Sequence, residues 1–199
     1  MSNRCFKSRR LVFRSASNYQ EVLSFADSLG LLKLYEITGR PGELVIREVG
    51  WQIDPGLEMY YVEEIRTASS FVQVMGDDAE DVKDITEALQ IRFSSLTPDE
   101  LVNAVDTSES IEDSAHAVLQ AGLGAPQQFD MRFYERIRAA MESADGQLRE
   151  AGIWAASFPL WDELRTAVER IESGDPEKRL RSAAKAILDI GYQRAKRGN

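Results

Sequence analysis

The C-terminal half of this chain repeats itself. Asp162-Glu163-Leu164-Arg165 opens an apolar stripe that closes near Ile171, and Leu180-Arg181-Ser182-Ala183-Ala184 opens a second. The same two phrases stand one step earlier, as Glu135-Arg136-Ile137-Arg138 and Leu148-Arg149-Glu150-Ala151. A weaker copy precedes them, as Asp99-Glu100-Leu101 and Ile111-Glu112-Asp113-Ser114-Ala115. One amphipathic helix pair cannot bury its own apolar face, but stacked pairs bury a continuous one. The repeat therefore predicts stacked helix pairs, whose broad surfaces suit binding of other macromolecules better than chemistry.

The stripes have helical spacing. Phe133, Ile137, Ala140, Met141 and Ala144 form one. Leu164, Ala167, Val168 and Ile171 form another, and Leu180, Ala183, Ala184, Ile187 and Leu188 a third. Small residues at Ala151, Gly152, Ala155, Ala183 and Ala184 allow neighbouring helices to approach closely. Thr97-Pro98-Asp99-Glu100 is a helix start, with Thr97 as cap, Pro98 in the first turn and Glu100 three residues after the cap. A boundary is expected here, between a domain of residues 1–95 and a helical domain of residues 96–199.

From about Pro98 to Tyr192 the chain resembles the HEAT-repeat family. In that family the second helix of a repeat often begins with Asp, then an aliphatic-Arg pair and an Ala. Asp145-Gly146-Gln147-Leu148-Arg149 follows this pattern, and Asp175-Pro176 with Leu180-Arg181-Ser182-Ala183-Ala184 follows it with two extra residues. The first pair departs from it, with Glu112 at the Arg position and a longer spacing, and reads as a cap or a linker. The resemblance implies a scaffold or protein-binding surface rather than a catalyst. Arg149 and Arg181 read as staples between repeats, because a guanidinium suits a fixed carboxylate in an adjacent loop.

The N-terminal half reads differently. Leu11-Val12-Phe13 is a short strand. Ser17 or Asn18 caps a helix carrying Val22, Leu23, Phe25, Ala26 and Leu29, which Gly30 ends. Strands are expected over 31–37, 43–53 (with a bulge or bend at Gly50), 57–65 and 71–75, with turns at Gly39-Arg40-Pro41-Gly42 and Asp54-Pro55-Gly56. Gly76-Asp77-Asp78 launches a helix with Val82, Ile85 and Leu89 on one face, and Ile91-Arg92-Phe93 reads as a closing strand. The expected order is β-α-β-β-β-β-α-β, loosely similar to a ferredoxin-like fold with an extra hairpin. The fold class is thus α+β: a small, mainly antiparallel sheet domain with two helices, then an all-α HEAT-like domain of two to three helix pairs.

Charge narrows the function classes. The net charge of -9 argues against a nucleic-acid binder, since phosphate contacts need a surplus of Lys and Arg. It suits a basic protein partner. The acids concentrate between Asp77 and Asp113; the stretches before Glu21 and after Lys178 are basic. The acid-free start fits either a transit peptide or, on the plainer reading, a basic arm leading into the first strand. Cys5 is the only cysteine, so an intrachain disulfide and a cysteine metal site are excluded, and a cytoplasmic setting is expected. No apolar run reaches the roughly 18–20 residues of a membrane span, so no membrane partner is expected.

Residues able to carry chemistry are sparse. His116 is the only histidine and reads as structural. Glu63 and Glu64 are adjacent on a strand and point to opposite faces, so they cannot act as a pair. No phosphate-binding glycine loop or nucleophile elbow is present. No catalytic residue, metal or cofactor is therefore assigned. Asp77, Asp78, Glu80, Asp81 and Asp84 lack calcium-loop spacing and suit the first turns of a helix. Trp154, Phe158 and Trp161 cluster around Pro159, as interface anchors or as plugs between repeats. The leading expectation is a non-enzymatic protein-binding or scaffold protein, with Asp77, Asp78, Asp81, Trp154 and Trp161 as partner-binding candidates. A sharper form is a bacterial immunity protein that neutralises a basic toxin. The rival class is a carboxylate- or metal-dependent enzyme with its site at the domain junction.

Overall fold

The structure is a computed structural model and describes residues 5–39 and 45–192. It is α+β, and the chain divides into two compact units, residues 1–97 and 98–199.

The first unit is an antiparallel sheet with two helices. Its elements are β1 (Phe6–Lys7), β2 (Leu11–Val12), α1 (Tyr19–Ser28), β3 (Leu32–Thr38), β4 (Val45–Asp54), β5 (Leu57–Glu64), β6 (Ser69–Gly76) and α2 (Ala79–Phe93). The strand order is β1-β6-β5-β4-β3, with β2 also on β6. β1 and β2 pair with successive stretches of β6 and act as one interrupted strand, with the Ser8 N–H donating to the Val74 carbonyl between them. The basic residues of this stretch are tied into the unit: Arg9 donates to Gln90 and to the Leu96 carbonyl, and Arg14 to the Ser94 carbonyl just beyond α2. Residues 40–44, on which the expected Gly39–Gly42 turn largely falls, lie outside the described residues.

Period-two alternation builds the core. Val49 and Trp51, then Leu57, Met59 and Tyr61, then Val72 and Val74 all face Val22 and Ala26 of α1 and Val82, Leu89 and Phe93 of α2. α1 ends as Gly30 promises. Gly30 has φ +64, its N–H reaches the Asp27 carbonyl, and the Leu31 N–H reaches the Ala26 carbonyl.

Two local expectations are corrected. Ile91-Arg92-Phe93 is the last turn of α2, not a strand. The helical stripe Val82-Ile85-Leu89 continues to Phe93, whose ring packs edge-on against Phe13 and Phe25, while Ile91 is 82% exposed. The bulge expected at Gly50 lies on the neighbouring strand: the β3–β4 register slips between Lys33 and Tyr35, opposite Trp51 and Gly50, and the β4–β5 irregularities lie between Val45 and Arg47 and between Gln52 and Asp54. Gly50 sits in register between Tyr35 and Tyr60, and a Cβ there would lie 2.7 Å from the Tyr35 ring. The missing side chain makes room for two tyrosine rings.

The second unit contains α3 (Pro98–Asp106), α4 (Ile111–Gly124), α5 (Met131–Met141), α6 (Gly146–Ala156), α7 (Asp162–Gly174) and α8 (Lys178–Ile187), followed by a π-helical turn at Leu188–Tyr192. Consecutive helices pair as α3-α4, α5-α6 and α7-α8. α5 touches α3 and α7 on one layer, and α6 touches α4 and α8 on the other. The stripes read from the sequence are buried as Phe133, Ile137, Ala140 and Met141; Leu164, Ala167, Val168 and Ile171; and Leu180, Ala184 and Ile187. Glycine sets the closest approaches. A Cβ on Gly122 of α4 would fall 2.5 Å from the Cα and carbonyl oxygen of Ala155, and one on Gly152 would fall 2.8 Å from the Met141 amide nitrogen.

Backbone cannot yield as a side-chain tip can, so Gly122→Ala should destabilise the protein by about 2 kcal/mol in chemical denaturation. Gly174→Ala meets nothing within 4 Å and should be neutral or stabilising by up to about 1 kcal/mol.

Candidate functional site

Each second helix of the last two pairs carries an arginine four residues after its cap position, although only Asp145 of the two cap residues bonds through its side chain. Asp145 caps α6 and accepts from the Gln147 and Leu148 N–H groups. Four residues after that cap, Arg149 Nη1 donates to the carbonyls of Ser143 and Ala144 at 3.1 and 2.9 Å. Glu177 stands at the cap of α8, and four residues on Arg181 donates to the carbonyls of Asp175 and Pro176. Both arginines thus hold the carbonyls five and six residues before them. The position equivalent to Asp145 is therefore Glu177, not Asp175. Asp175 corresponds to Ser143, since each accepts the backbone N–H two residues on. In the first pair Ser110 caps α4, and Ser114 occupies the place of the arginines. Glu112, where the sequence pattern looked for Arg, lies two residues earlier.

Arg149 does more than Arg181. Its Nε donates to Asp175 Oδ2 at 2.7 Å, and its Nη2 reaches Asp175 Oδ1 at 3.3 Å and Glu177 Oε1 at 3.1 Å. Its hydrogen bonds join the start of α6 to the start of α8. The side chains of Arg149 and Asp175 are 12% and 3% exposed, so the carboxylate is buried and the guanidinium half-buried. Burial alone would raise the Asp175 carboxyl. The Arg149 hydrogen bond, the Glu177 N–H and the charges of Arg149 and Arg181 together outweigh it and hold the group below its ordinary value. The shallow cavity beside them, about 300 Å3, is lined by Met141, Arg170 and Ile171 as well as the pair itself.

The aromatic cluster splits into an inner and an outer part. Trp161 is 5% exposed; its indole N–H donates to the Gln127 carbonyl, and its own carbonyl accepts from the Tyr192 hydroxyl. It is a plug, and its ring offers no face to a partner. Trp154 is half-buried on α6. The exposed residues of the neighbourhood are ones the sequence reading passed over. Phe129 packs edge-on against Trp161 with ring centres 5.4 Å apart, lies 5.5 Å from Tyr134, and is 39% exposed. Met131 beside it is 53% exposed. Asp130 between them caps α5 and is held by Arg132, whose guanidinium also pairs with Asp99 at 2.6 Å. Phe129 and Tyr134 flank that cap as a hydrophobic staple. The signal was available as Phe129-Asp130-Met131, an apolar-cap-apolar phrase outside the helical stripe.

In the first unit Asp77, Asp78 and Asp81 are all exposed. Asp78 caps α2 and accepts from the Glu80 and Asp81 N–H groups. His116 is exposed on α4. Glu63 and Glu64 diverge as strand geometry requires. Glu63 accepts from the Ser17 and Tyr61 hydroxyls at 2.6 and 2.9 Å, whereas Glu64 accepts the Thr67 N–H in the turn to β6. Burial pushes the Tyr61 hydroxyl up from its ordinary value. A polar cleft of about 440 Å3 opens over Ser17, Asn18, Glu63 and Arg47. Arg47 stacks 3.9 Å from the centre of the Tyr19 ring, and its Nε is buried with no hydrogen-bond partner among the described residues. Among the described residues, no group of three or more His, Cys, Asp or Glu side chains is placed to hold a metal ion.

No protein-family model matches the chain, and no curated protein or solved structure matches it. No helix among the described residues is long and apolar enough to cross a membrane.

Removing Arg149 leaves the buried Asp175 carboxylate with only the Glu177 N–H and the charge of Arg181, so Arg149→Ala should cost about 2 kcal/mol in chemical denaturation. Because the Asp175 pKa is lowered on folding, its stabilisation is complete above the ordinary carboxylate range and fades as pH falls through the folded value. Asp175→Asn should therefore flatten the acid limb of the stability–pH curve relative to the parent chain.

Proposed function

We propose that the chain is a non-enzymatic protein-binding module whose helical unit meets its partner through Phe129, Met131 and Tyr134. The observation that carries this reading is the exposure of Phe129 and Met131 on a fixed support. Trp161 packs beneath Phe129, and the Asp130 cap with Arg132 anchors the loop between them. Aromatic residues and methionine are enriched in protein interfaces, and rigid anchors lose little entropy on binding.

The HEAT-like reading of this unit belongs to the same proposal. Its support is the two-layer order of the helix pairs and the matching carbonyl bonds of Arg149 and Arg181. The exposed acids at the start of α2 favour a basic partner by raising the rate of encounter, and a basic toxin domain is one such partner. Of the acidic candidates, Asp77 and Asp81 suit this role best, because the Asp78 carboxylate is committed to capping.

The test is quantitative binding of a partner recovered from the native host. Phe129→Ala with Met131→Ala should weaken binding by about a hundredfold, while the lost staple lowers thermal stability only modestly and the protein stays folded at the assay temperature. Asp77→Lys with Asp81→Lys should mainly slow association and reduce its dependence on salt. Unchanged affinity in the Phe129/Met131 double variant removes the proposed face.

A further inference from the structure

The edge strand β3 is the end of the sheet order, and none of the described residues pairs with its outer side. Such an edge presents free backbone groups in a row. On β3 that row is apolar as well: Leu32, Leu34 and Ile37 are 62%, 41% and 53% exposed.

The side-chain order along β3 is self-complementary. Lys33 lies opposite Trp51 and Glu36 opposite Val49, two residues of the core-facing set. Leu32, Tyr35 and Ile37 lie opposite Gln52, Gly50 and Glu48, on the other face. In a regular strand, residues three apart face opposite ways. Here the register slips between Lys33 and Tyr35, and the extra residue, Leu34, brings Lys33 and Glu36 onto one face. Their side chains already form an ion pair within the strand at 3.0 Å.

We infer that β3 pairs antiparallel with β3 of a second copy of this chain, extending the two sheets into one. The register that centres between Leu34 and Tyr35 sets Lys33 opposite the second copy's Glu36, and Leu32 opposite its Ile37. Two-fold symmetry repeats both contacts. Lysine on an edge ordinarily guards against such pairing. Here the guard meets a carboxylate on the same face in the self-paired arrangement, so charge favours this one partner and register. The strand is short, and its contact falls below the roughly 1,200 Å2 of a stable interface, so the dimer is weak and concentration-dependent.

Sedimentation velocity of the full chain, from submicromolar to high micromolar concentration, should show a reversible monomer–dimer equilibrium. Lys33→Glu places like charges opposite each other twice and should weaken the dimer about tenfold. Mixing Lys33→Glu with Glu36→Lys should restore association, because every cross-strand pair in that heterodimer is again of opposite sign. Independently, the double variant Leu32→Cys/Ile37→Cys, in a Cys5→Ser background, should give an oxidised dimer on a non-reducing gel, whereas either single variant should not. The two introduced thiols within one chain are too far apart to bridge each other. A monomer at every concentration overturns the inference. So does a dimer that Lys33→Glu leaves unchanged, or a double-cysteine variant that forms no cross-link.

Discussion

The guanidinium of Arg149 holds the helical unit in order. It grips the carbonyls of Ser143 and Ala144 where α6 begins, and the carboxylates of Asp175 and Glu177 where α8 begins. A buried ion pair gains little over a well-packed apolar contact, but half of one is costly, so it specifies an arrangement more than it adds stability. Its geometry selects the relative placement of α6 and α8. Leu164, Ile171 and Leu180 are buried in the same unit, and their burial supplies the larger share of its stability. Gly122 and Gly152 complete the restriction by allowing α6 to approach α4 and α5.

The sheet unit solves the same problem with aromatic and hydroxyl groups. The ring of Tyr61 lies in the core near Phe13 and Tyr19. Its hydroxyl accepts the Asn18 N–H at the start of α1 and donates to Glu63. One residue thereby fixes the entry of α1 and orients a buried carboxylate. The cleft above it places Glu63 and Arg47, cross-strand partners in register, on one lining.

Much of this was legible in the sequence. Helical spacing located the buried stripes of α5, α7 and α8, and Gly30 located the end of α1, because these signals are local and backbone-driven. The Leu-Arg phrase located Arg149 and Arg181. The sequence could not say that Glu177, rather than Asp175, is the counterpart of Asp145, because capping position depends on where each helix starts. The closing strand at Ile91-Arg92-Phe93 was misread because three residues carry too little periodicity to separate strand from helix; the i, i+4 step from Leu89 to Phe93 was the better guide. The two-residue pairing of Phe6–Lys7 has no period at all.

Composition and periodicity alone determined that this chain makes an acidic, α+β protein with a run of amphipathic helices after Pro98. Those properties depend on residue type and spacing along the chain. Which aromatic residues face outward was decided by tertiary structure, because Trp161 and Phe129 differ in exposure only through what packs on them. The same holds for the edge at β3. Its apolar and charged residues read as an ordinary strand until the register with β4 shows Lys33 and Glu36 on one face and an outer side that no described strand covers.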